Sequence, residues 1–144
     1  MNLSNHSISG WIEEKKHFLN IRVYYEDTDF SGIVYHANYV RFLERGRTDY
    51  LRLLGVDQSD LYNDEHGLSL AVRSMTLDFQ KPALMDDILL VETSLNEMKA
   101  ASFIMHQRIF RQDMILLTAE ITIVAIKNKR AVRIPQSIRT RIQT

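Results

Sequence analysis

A change of hydrophobic period near residue 67 constrains the fold of this 144-residue chain more than any other feature. Before it, residues 36–54 carry apolar side chains at three- and four-residue steps, which predicts one long amphipathic helix. The apolar stripe of this helix is formed by Tyr39, Leu43, Gly46, Tyr50 and Leu54. A glycine in such a stripe weakens an isolated helix by roughly 1 kcal/mol relative to alanine, so we expect a neighbour to pack closely against Gly46.

Strands are predicted after the helix, at residues 68–80, 87–97, 101–111 and 114–127. Short polar breaks between them favour hairpins and an antiparallel order. In the first of these strands the apolar residues change face near Arg73 and Ser74, which predicts a β-bulge. A further strand is predicted over residues 17–25. The fold class is therefore α+β: an antiparallel sheet of about five strands wrapped around one long central helix, because one helix cannot cover both faces of a flat sheet.

The composition fits one globular domain, and we expect a flexible N-terminal extension over residues 1–12 followed by a single domain over residues 13–144. With 18 basic and 18 acidic residues, the chain has no overall field that would hold nucleic acid. The absence of cysteine excludes disulfides and thiolate catalysis. We expect neither a signal peptide nor a membrane span, since no run approaches the ~18 apolar residues that a span needs, and therefore a cytoplasmic location.

Basic side chains are concentrated at the C-terminus, where residues 127–144 carry six of them and no acidic one. The run is either a solvated tail or a site for an anionic group such as a nucleotide phosphate. The charge pattern alone does not decide between these two interpretations.

Two carboxylates, Asp27 and Asp29, lie in the loop that joins the first predicted strand to the helix. Acids at this spacing are common turn and cap formers, which is one interpretation. The other is chemical: Gly32 allows a tight turn, and the helix begins at about His36, where first-turn N–H groups are unsatisfied and attract negative charge. A carboxylate next to such donors suits attack on a carbonyl group. No spacing of histidines and acids predicts a metal site, and no serine nucleophile or phosphate-binding motif is present.

Residues 22–39 also form a long, specific motif, Arg-Val-Tyr-Tyr-Glu-Asp-Thr-Asp-Phe-Ser-Gly-Ile-Val-Tyr-His-Ala-Asn-Tyr, which is followed by Phe-Leu-Glu-Arg at residues 42–45. This sequence resembles hotdog-fold acyl-CoA thioesterases of the 4-hydroxybenzoyl-CoA thioesterase type, above all their Tol–Pal-associated branch. A weaker likeness continues through Lys81-Pro82-Ala83 and Asp87 to Ile134-Pro135. The chain departs from the family at Gly46, where alanine is expected, and in its extension at residues 1–12.

The resemblance implies a hotdog fold and hydrolysis of acyl-CoA thioesters to a free acid and coenzyme A. It implies that Asp29 is the catalytic general base or nucleophile, that the backbone N–H of His36 polarises the thioester carbonyl, and that Asp27 is structural. Substrate contacts are predicted for Gly32, Val34, Tyr35, Asn38 and Met75. No cofactor is expected, since coenzyme A is part of the substrate, and no metal.

The resemblance also implies partners for the chain. We expect a homodimer or a dimer of dimers, that is, a homotetramer, with the sites between subunits. An acyl carrier protein or the Tol–Pal machinery are further predicted partners, and the C-terminal basic residues are candidates for binding the coenzyme A phosphates.

Two other functions remain open from the sequence. A hotdog enoyl-thioester hydratase or dehydratase would use a histidine and an acid, here His36 and Glu44. A non-catalytic partner of an acyl carrier or of envelope machinery would bind without turnover.

Overall fold

The computed structural model describes residues 8–65 and 67–144. In chain order the helices and strands are β1 (Trp11–Glu13), β2 (Lys16–Arg22), a 3-10 turn (Tyr25–Asp27), α1 (His36–Leu53), α2 (Gln58–Asn63), β3 (Ser69–Phe79), β4 (Ile88–Met98), β5 (Ser102–Arg111), β6 (Met114–Lys127), β7 (Arg130–Ala131) and α3 (Gln136–Gln143).

The strands form one antiparallel sheet in the order β1-β2-β4-β5-β6-β3, with β7 paired to β6. Five of the seven strands are long, as predicted, and two are additional: β1 and β7 span only three and two residues, too short to show a period. The predicted bulge is present in β3, where the register with β6 shifts between Val72 and Ser74. The α+β class and the antiparallel sheet are thus confirmed.

The predicted flexible extension over residues 1–12 is too long, because residues 8–12 are part of the folded structure. Trp11 pairs with Phe18 of β2, and the buried carbonyl of Ser9 lies 2.7 Å from Nε2 of His17. Gly10 permits this path, since it has a φ of 74° and a Cβ there would lie only 2.0 Å from the carbonyl oxygen of Phe18. The remainder of the predicted extension, residues 1–7, lies outside the described residues.

Helix α1 packs into the curved sheet along the stripe that the sequence predicts. Its buried residues are Tyr39, Phe42, Leu43, Gly46, Arg47, Tyr50 and Leu51. The close approach expected at Gly46 is confirmed: a Cβ would lie 2.8 Å from Cγ1 of Val91 and 3.0 Å from Oγ1 of Thr93. The burial of Arg47, which is 5% exposed, is not part of the predicted stripe.

Helix α3 packs against β4, with Ile138 and Ile142 buried. Part of the basic C-terminal run is therefore docked and is no free tail. Arg139 donates to the carbonyls of Lys99 and Ala100, and Arg141 donates to the carbonyl of Gly55 at 2.6 Å.

Candidate active site

The loop between β2 and α1 is held by its own backbone. The N–H of Asp29 donates to the carbonyl of Ile33 at 2.9 Å, and Thr28 pairs with Val34, so residues 28–34 form a small hairpin. Gly32 closes it with a φ of 87° and donates to the carbonyl of Asp29 at 3.1 Å. The turn expected from Gly32 is present, and Asp29 is at the base of its tip.

The Asp29 carboxylate is held ionised by its own turn. Both the hydroxyl and, at 2.8 Å, the backbone N–H of Ser31 donate to Oδ1. These two hydrogen bonds, with a smaller contribution from the N–H of Ile33, lower the pKa of Asp29 below its usual value. Because both Ser31 bonds use Oδ1, Oδ2 is the oxygen that can meet a water or a carbonyl carbon.

Asp27 supports the loop, as the resemblance implies. Its carboxylate accepts from the N–H of Tyr24 at 2.9 Å. Its carbonyl accepts from the N–H of Tyr35 and from Nδ2 of Asn38, both at 2.9 Å. One acid of the pair is therefore used for the turn and cap role that the sequence left open.

The first turn of α1 presents uncapped N–H donors. Tyr35 occupies the N-cap position and gives no side-chain hydrogen bond to the helix, where Ser, Thr, Asp or Asn would usually cap it. The N–H of Asn38 is satisfied by the carbonyl of Tyr35, whereas those of His36 and Ala37 find no acceptor within residues 8–65 and 67–144. These two exposed donors, at the positive end of the helix dipole, can stabilise a developing oxyanion.

A cleft of about 340 Å³ adjoins this helix start, and it is lined by Ile33, Val34, His36, Tyr39 and residues 79–82. Two aromatic rings form part of its wall: those of Tyr39 and Phe79 meet edge to face at 5.6 Å. The Tyr39 hydroxyl accepts from the N–H of Ala83 at 2.8 Å, which ties the helix to the opposite wall. Burial raises the pKa of Tyr39, so the phenol stays protonated.

The structure brings some of the predicted site residues together and leaves others apart. Val34 and His36 line the cleft, and Asp29 is bonded to Ile33, which also lines it. Gly32 and Tyr35 belong to the same loop but are not among the lining residues.

Asn38 and Met75 have other contacts within the chain. Asn38 donates its side-chain amide to the loop, and Met75 packs against the core on β3, four residues from Phe79 or roughly 13 Å along the strand. Their contact with substrate stays a prediction.

His36 and Glu44, the pair that a hydratase would use, are not brought together within one chain. Eight residues of helix separate them by about 12 Å along the axis. His36 faces the cleft, whereas Glu44 lines a different cavity with Arg47. Tyr39 and Phe79 are the cleft residues that the sequence did not reveal, because their spacing is that of ordinary core positions. The signal was the Tyr39 hydroxyl, which requires a partner when it is buried.

Among the described residues, no group of three or more His, Asp or Glu side chains could hold a metal ion. Across the same part of the chain, none of the helices has the length and apolar character needed to cross a membrane.

Comparison with known proteins identifies the class. The sequence model of the thioesterase-like superfamily matches residues 23–142, and the chain belongs to this superfamily. The acyl-CoA thioesterase YbgC of Haemophilus influenzae is 39% identical over 121 residues, which are 83% of this chain and 88% of that protein.

Solved structures agree with this assignment. A probable thioesterase from Bartonella henselae has a TM-score of 0.80 and 38% identity, over 83% of this chain and 99% of that one. The 4-hydroxybenzoyl-CoA thioesterase of Pseudomonas sp. strain CBS-3 has the same fold, with a TM-score of 0.82 at 23% identity over 88% of this chain and 99% of that one. The predicted hotdog thioesterase family, with its Tol–Pal-associated branch, is confirmed.

Proposed function

We propose that Asp29 is the carboxylate with which this protein hydrolyses acyl-CoA thioesters, acting beside the N–H donors at the start of α1. The observation that carries this proposal is the pairing of an ionised, accessible carboxylate with an uncapped helix N-terminus in one short loop. Both groups are needed for attack on a thioester carbonyl, one to drive the attack and the other to receive the negative charge.

The reaction follows in balanced steps. Asp29 either removes a proton from a water that attacks the carbonyl carbon or attacks that carbon itself to form a mixed anhydride that water then hydrolyses. In both routes the carbonyl oxygen becomes an oxyanion, which the N–H of His36 stabilises. The carbon–sulfur bond then breaks, and the coenzyme A thiolate takes a proton from protonated Asp29 in the first route and from water in the second. The acyl group leaves as the free acid, directly in the first route and after hydrolysis of the anhydride in the second.

A second copy of the chain completes the enzyme in this proposal. Strand β3 pairs only with β6 among the described strands, which leaves eleven residues of sheet edge open to a partner. Antiparallel pairing of two β3 strands would place the partner's Ser69 end beside the Phe79 end of this chain, next to the cleft. A homodimer, or a homotetramer built from two dimers, is thereby supported.

The same arrangement bears on the coenzyme A phosphates. Lys127 lies ten residues along β6 from Leu117, which pairs with Phe79 at the cleft, so the two ends are roughly 33 Å apart. Within one chain the basic hairpin of Lys127, Lys129 and Arg130 is too far from Asp29 to share its substrate. In the proposed dimer it reaches the cleft of the partner.

The substitution Asp29→Asn tests the proposal. It keeps an oxygen for the Ser31 donors but removes the base, so we expect turnover of acyl-CoA to fall by about 10²–10⁴-fold, measured as release of free thiol. Asp27→Asn is the matched control, since an amide oxygen can still accept from Tyr24 and activity should stay within a few-fold of wild type. An Asp29→Asn protein that releases thiol at the wild-type rate would exclude this role for Asp29.

The cytoplasmic location, an acyl carrier protein or Tol–Pal partner, and the preferred acyl group stay predictions. A panel of aliphatic and aromatic acyl-CoA substrates, assayed by thiol release, addresses the last of these directly.

A further inference from the structure

A second cavity, of about 240 Å³, lies along the middle of α1, away from Asp29. Its lining combines two kinds of residue, polar ones from the helices and apolar ones from the helix and sheet: Glu44, Arg47, Thr48, Leu51, Gln58, Leu70, Val72 and Ile123. It shares no lining residue with the candidate active site. The catalytic steps proposed above leave it without a role.

The unusual group in this cavity is Arg47. The residue is only 5% exposed, and burial lowers the pKa of its guanidinium. Nη1 donates to Oε1 of Gln107 at 3.0 Å, a neutral partner. The guanidinium carries five N–H donors, and no other hydrogen bond or ion pair joins it to the described residues.

A buried cation is costly unless an acceptor of opposite charge meets it. Glu44, one helical turn before Arg47, raises the pKa of Arg47 but forms no ion pair with it within the described chain, and Glu44 itself is exposed. Within the described residues, the chain therefore presents a largely buried guanidinium to the cavity and pairs it with no carboxylate, although Glu44 lines the same cavity. Planar, bidentate donors of this kind fit a carboxylate.

We propose that this cavity binds a carboxylate carried on a short apolar chain, with the carboxylate on Arg47 and the chain against Leu51, Leu70 and Val72. Thr48 and Gln58 offer further polar groups at the wall. The exposed Glu44 carboxylate repels a second negative charge, which favours a monoanion over phosphate. The site rests on the geometry of the cavity, and the biological source of its ligand rests on the proposed function.

Two sources supply this chemistry in a thioesterase. One is the free short-chain acid that hydrolysis releases, which would bind as a product or effector. The other is the far end of an acyl-CoA whose acyl chain ends in a carboxylate. Both sources present the same carboxylate group to Arg47, and two arms of one experiment distinguish them.

The first arm measures binding without turnover. The probes are butanoate and hexanoate, with hexanol and inorganic phosphate as controls, and the readout is the NMR signal of the Arg47 side-chain Nε–H in the full-length protein. We expect the carboxylates to shift this signal with saturation, and hexanol and phosphate to leave it unchanged. The affinity for hexanoate is measured by calorimetry, and Arg47→Met should weaken it by about tenfold or more. Arg45→Met removes a charge from the same helix outside this cavity and should leave the affinity unchanged.

The second arm measures turnover of glutaryl-CoA against butyryl-CoA. If the ligand is the end of a substrate, Arg47→Met lowers kcat/KM for glutaryl-CoA by about tenfold relative to butyryl-CoA. If the ligand is the free acid, the ratio is unchanged while hexanoate still binds to the wild-type protein. Either result supports a carboxylate site, and neither depends on which residue is the catalytic base.

Other outcomes overturn the proposal. Carboxylates that leave the Arg47 signal of the wild-type protein unchanged exclude the site. A second contrary result is that the wild type binds no carboxylate and that Arg47→Met prevents self-association of the protein. In that case the hydrogen-bond acceptor for Arg47 comes from a second copy of the chain and not from a ligand. If Arg47→Met does not fold, Thr48→Val and Val72→Phe change the cavity wall and leave Arg47 in place. Unaltered hexanoate affinity in both variants would contradict the proposal.

Discussion

The first turn of α1 and its middle differ in how they treat hydrogen-bonding groups. At the start, Tyr35 provides no side-chain cap, and the N–H groups of His36 and Ala37 have no acceptor among the described residues. In the middle, Gly46 lets the sheet approach so closely that a Cβ would lie 2.8 Å from Cγ1 of Val91, and Gln107 joins Thr93, Arg47 and the carbonyl of Leu43. The difference teaches that one helix can leave backbone donors unpaired at its start and yet be joined to the sheet by buried hydrogen bonds in its middle.

The largest effect on stability is expected from Gln107→Leu. Gln107 is fully buried and makes three hydrogen bonds, so its loss leaves the Arg47 guanidinium, the Leu43 carbonyl and the Thr93 hydroxyl without this partner. We expect the free energy of unfolding in urea to fall by about 3 kcal/mol or more. The exposed Gln136→Leu is the control and should change it by no more than about 0.5 kcal/mol. A small loss for Gln107→Leu would remove the contrast between the two parts of the helix.

Gly46→Val is expected to cost somewhat less, about 2–3 kcal/mol, because a branched side chain cannot fit against Val91 and Thr93. Gly46→Ala adds only a Cβ, and its nearest contact is the end of the Val91 side chain, which can shift. The gain in helix propensity of about 1 kcal/mol then offsets much of the strain. The two variants, compared by urea unfolding, should therefore differ clearly. Equal stability would show that the space at Gly46 is not limiting.

His17 is expected to make the free energy of unfolding depend on pH. Its Nε2 bonds to the carbonyl of Ser9, so that nitrogen carries the proton, and the buried Nδ1 has no partner among the described residues. Burial lowers the pKa of His17 in the folded state. Between that lowered pKa and the unfolded value of about 6.5, the unfolded chain binds the extra proton, so stability falls as the pH falls.

The variant His17→Gln should flatten this slope, by at most about 1.4 kcal/mol per pH unit for one proton. Urea unfolding of both proteins at several pH values between neutral and mildly acidic gives the measurement. Identical slopes would mean that His17 does not titrate differently on unfolding.

The smallest effect is expected at the start of the helix, from Ser31→Ala. The variant loses the hydroxyl that lowers the pKa of Asp29, so that pKa rises and the acid limb of the kcat/KM profile moves to higher pH. Activity at neutral pH should stay within about twofold, since Asp29 remains ionised there, and stability should change by no more than about 0.5 kcal/mol. Thr28→Val, which removes a hydroxyl that bonds to the Tyr25 carbonyl, should leave the acid limb in place. A shift in both variants would contradict the assignment to Asp29.

The sequence predicts the long elements of this fold well because each of them contains several repeats of its hydrophobic period. Helix α1 and strands β3 to β6 begin and end within one residue of the expected positions, and the bulge in β3 is where the apolar residues change face. Strand β1 was missed because three residues show no period, and its pairing depends on a glycine and on His17, eight residues beyond the acceptor at Ser9. Such a contact is tertiary and leaves no local pattern.

The candidate site is predictable where it depends on residues that are close together in sequence. The turn at Gly32 and the helix start at His36 follow from local chemistry. The roles of Asp29 and Asp27 came from the family resemblance, and the hydrogen bonds that distinguish the two carboxylates belong to the turn around each of them. The burial of Arg47 could not be seen, because its partner Gln107 lies sixty residues away in sequence.

The tyrosine at the N-cap of α1 has a consequence for anyone who would stabilise this protein. The usual route replaces such a residue by Asp or Ser, which is worth about 1 kcal/mol in many helices. Here the new side chain would fold back onto the same N–H groups to which the proposed mechanism assigns the thioester carbonyl. The carboxylate introduced by Tyr35→Asp would occupy the place of the oxyanion, so the gain in melting temperature would come with a self-inhibited enzyme.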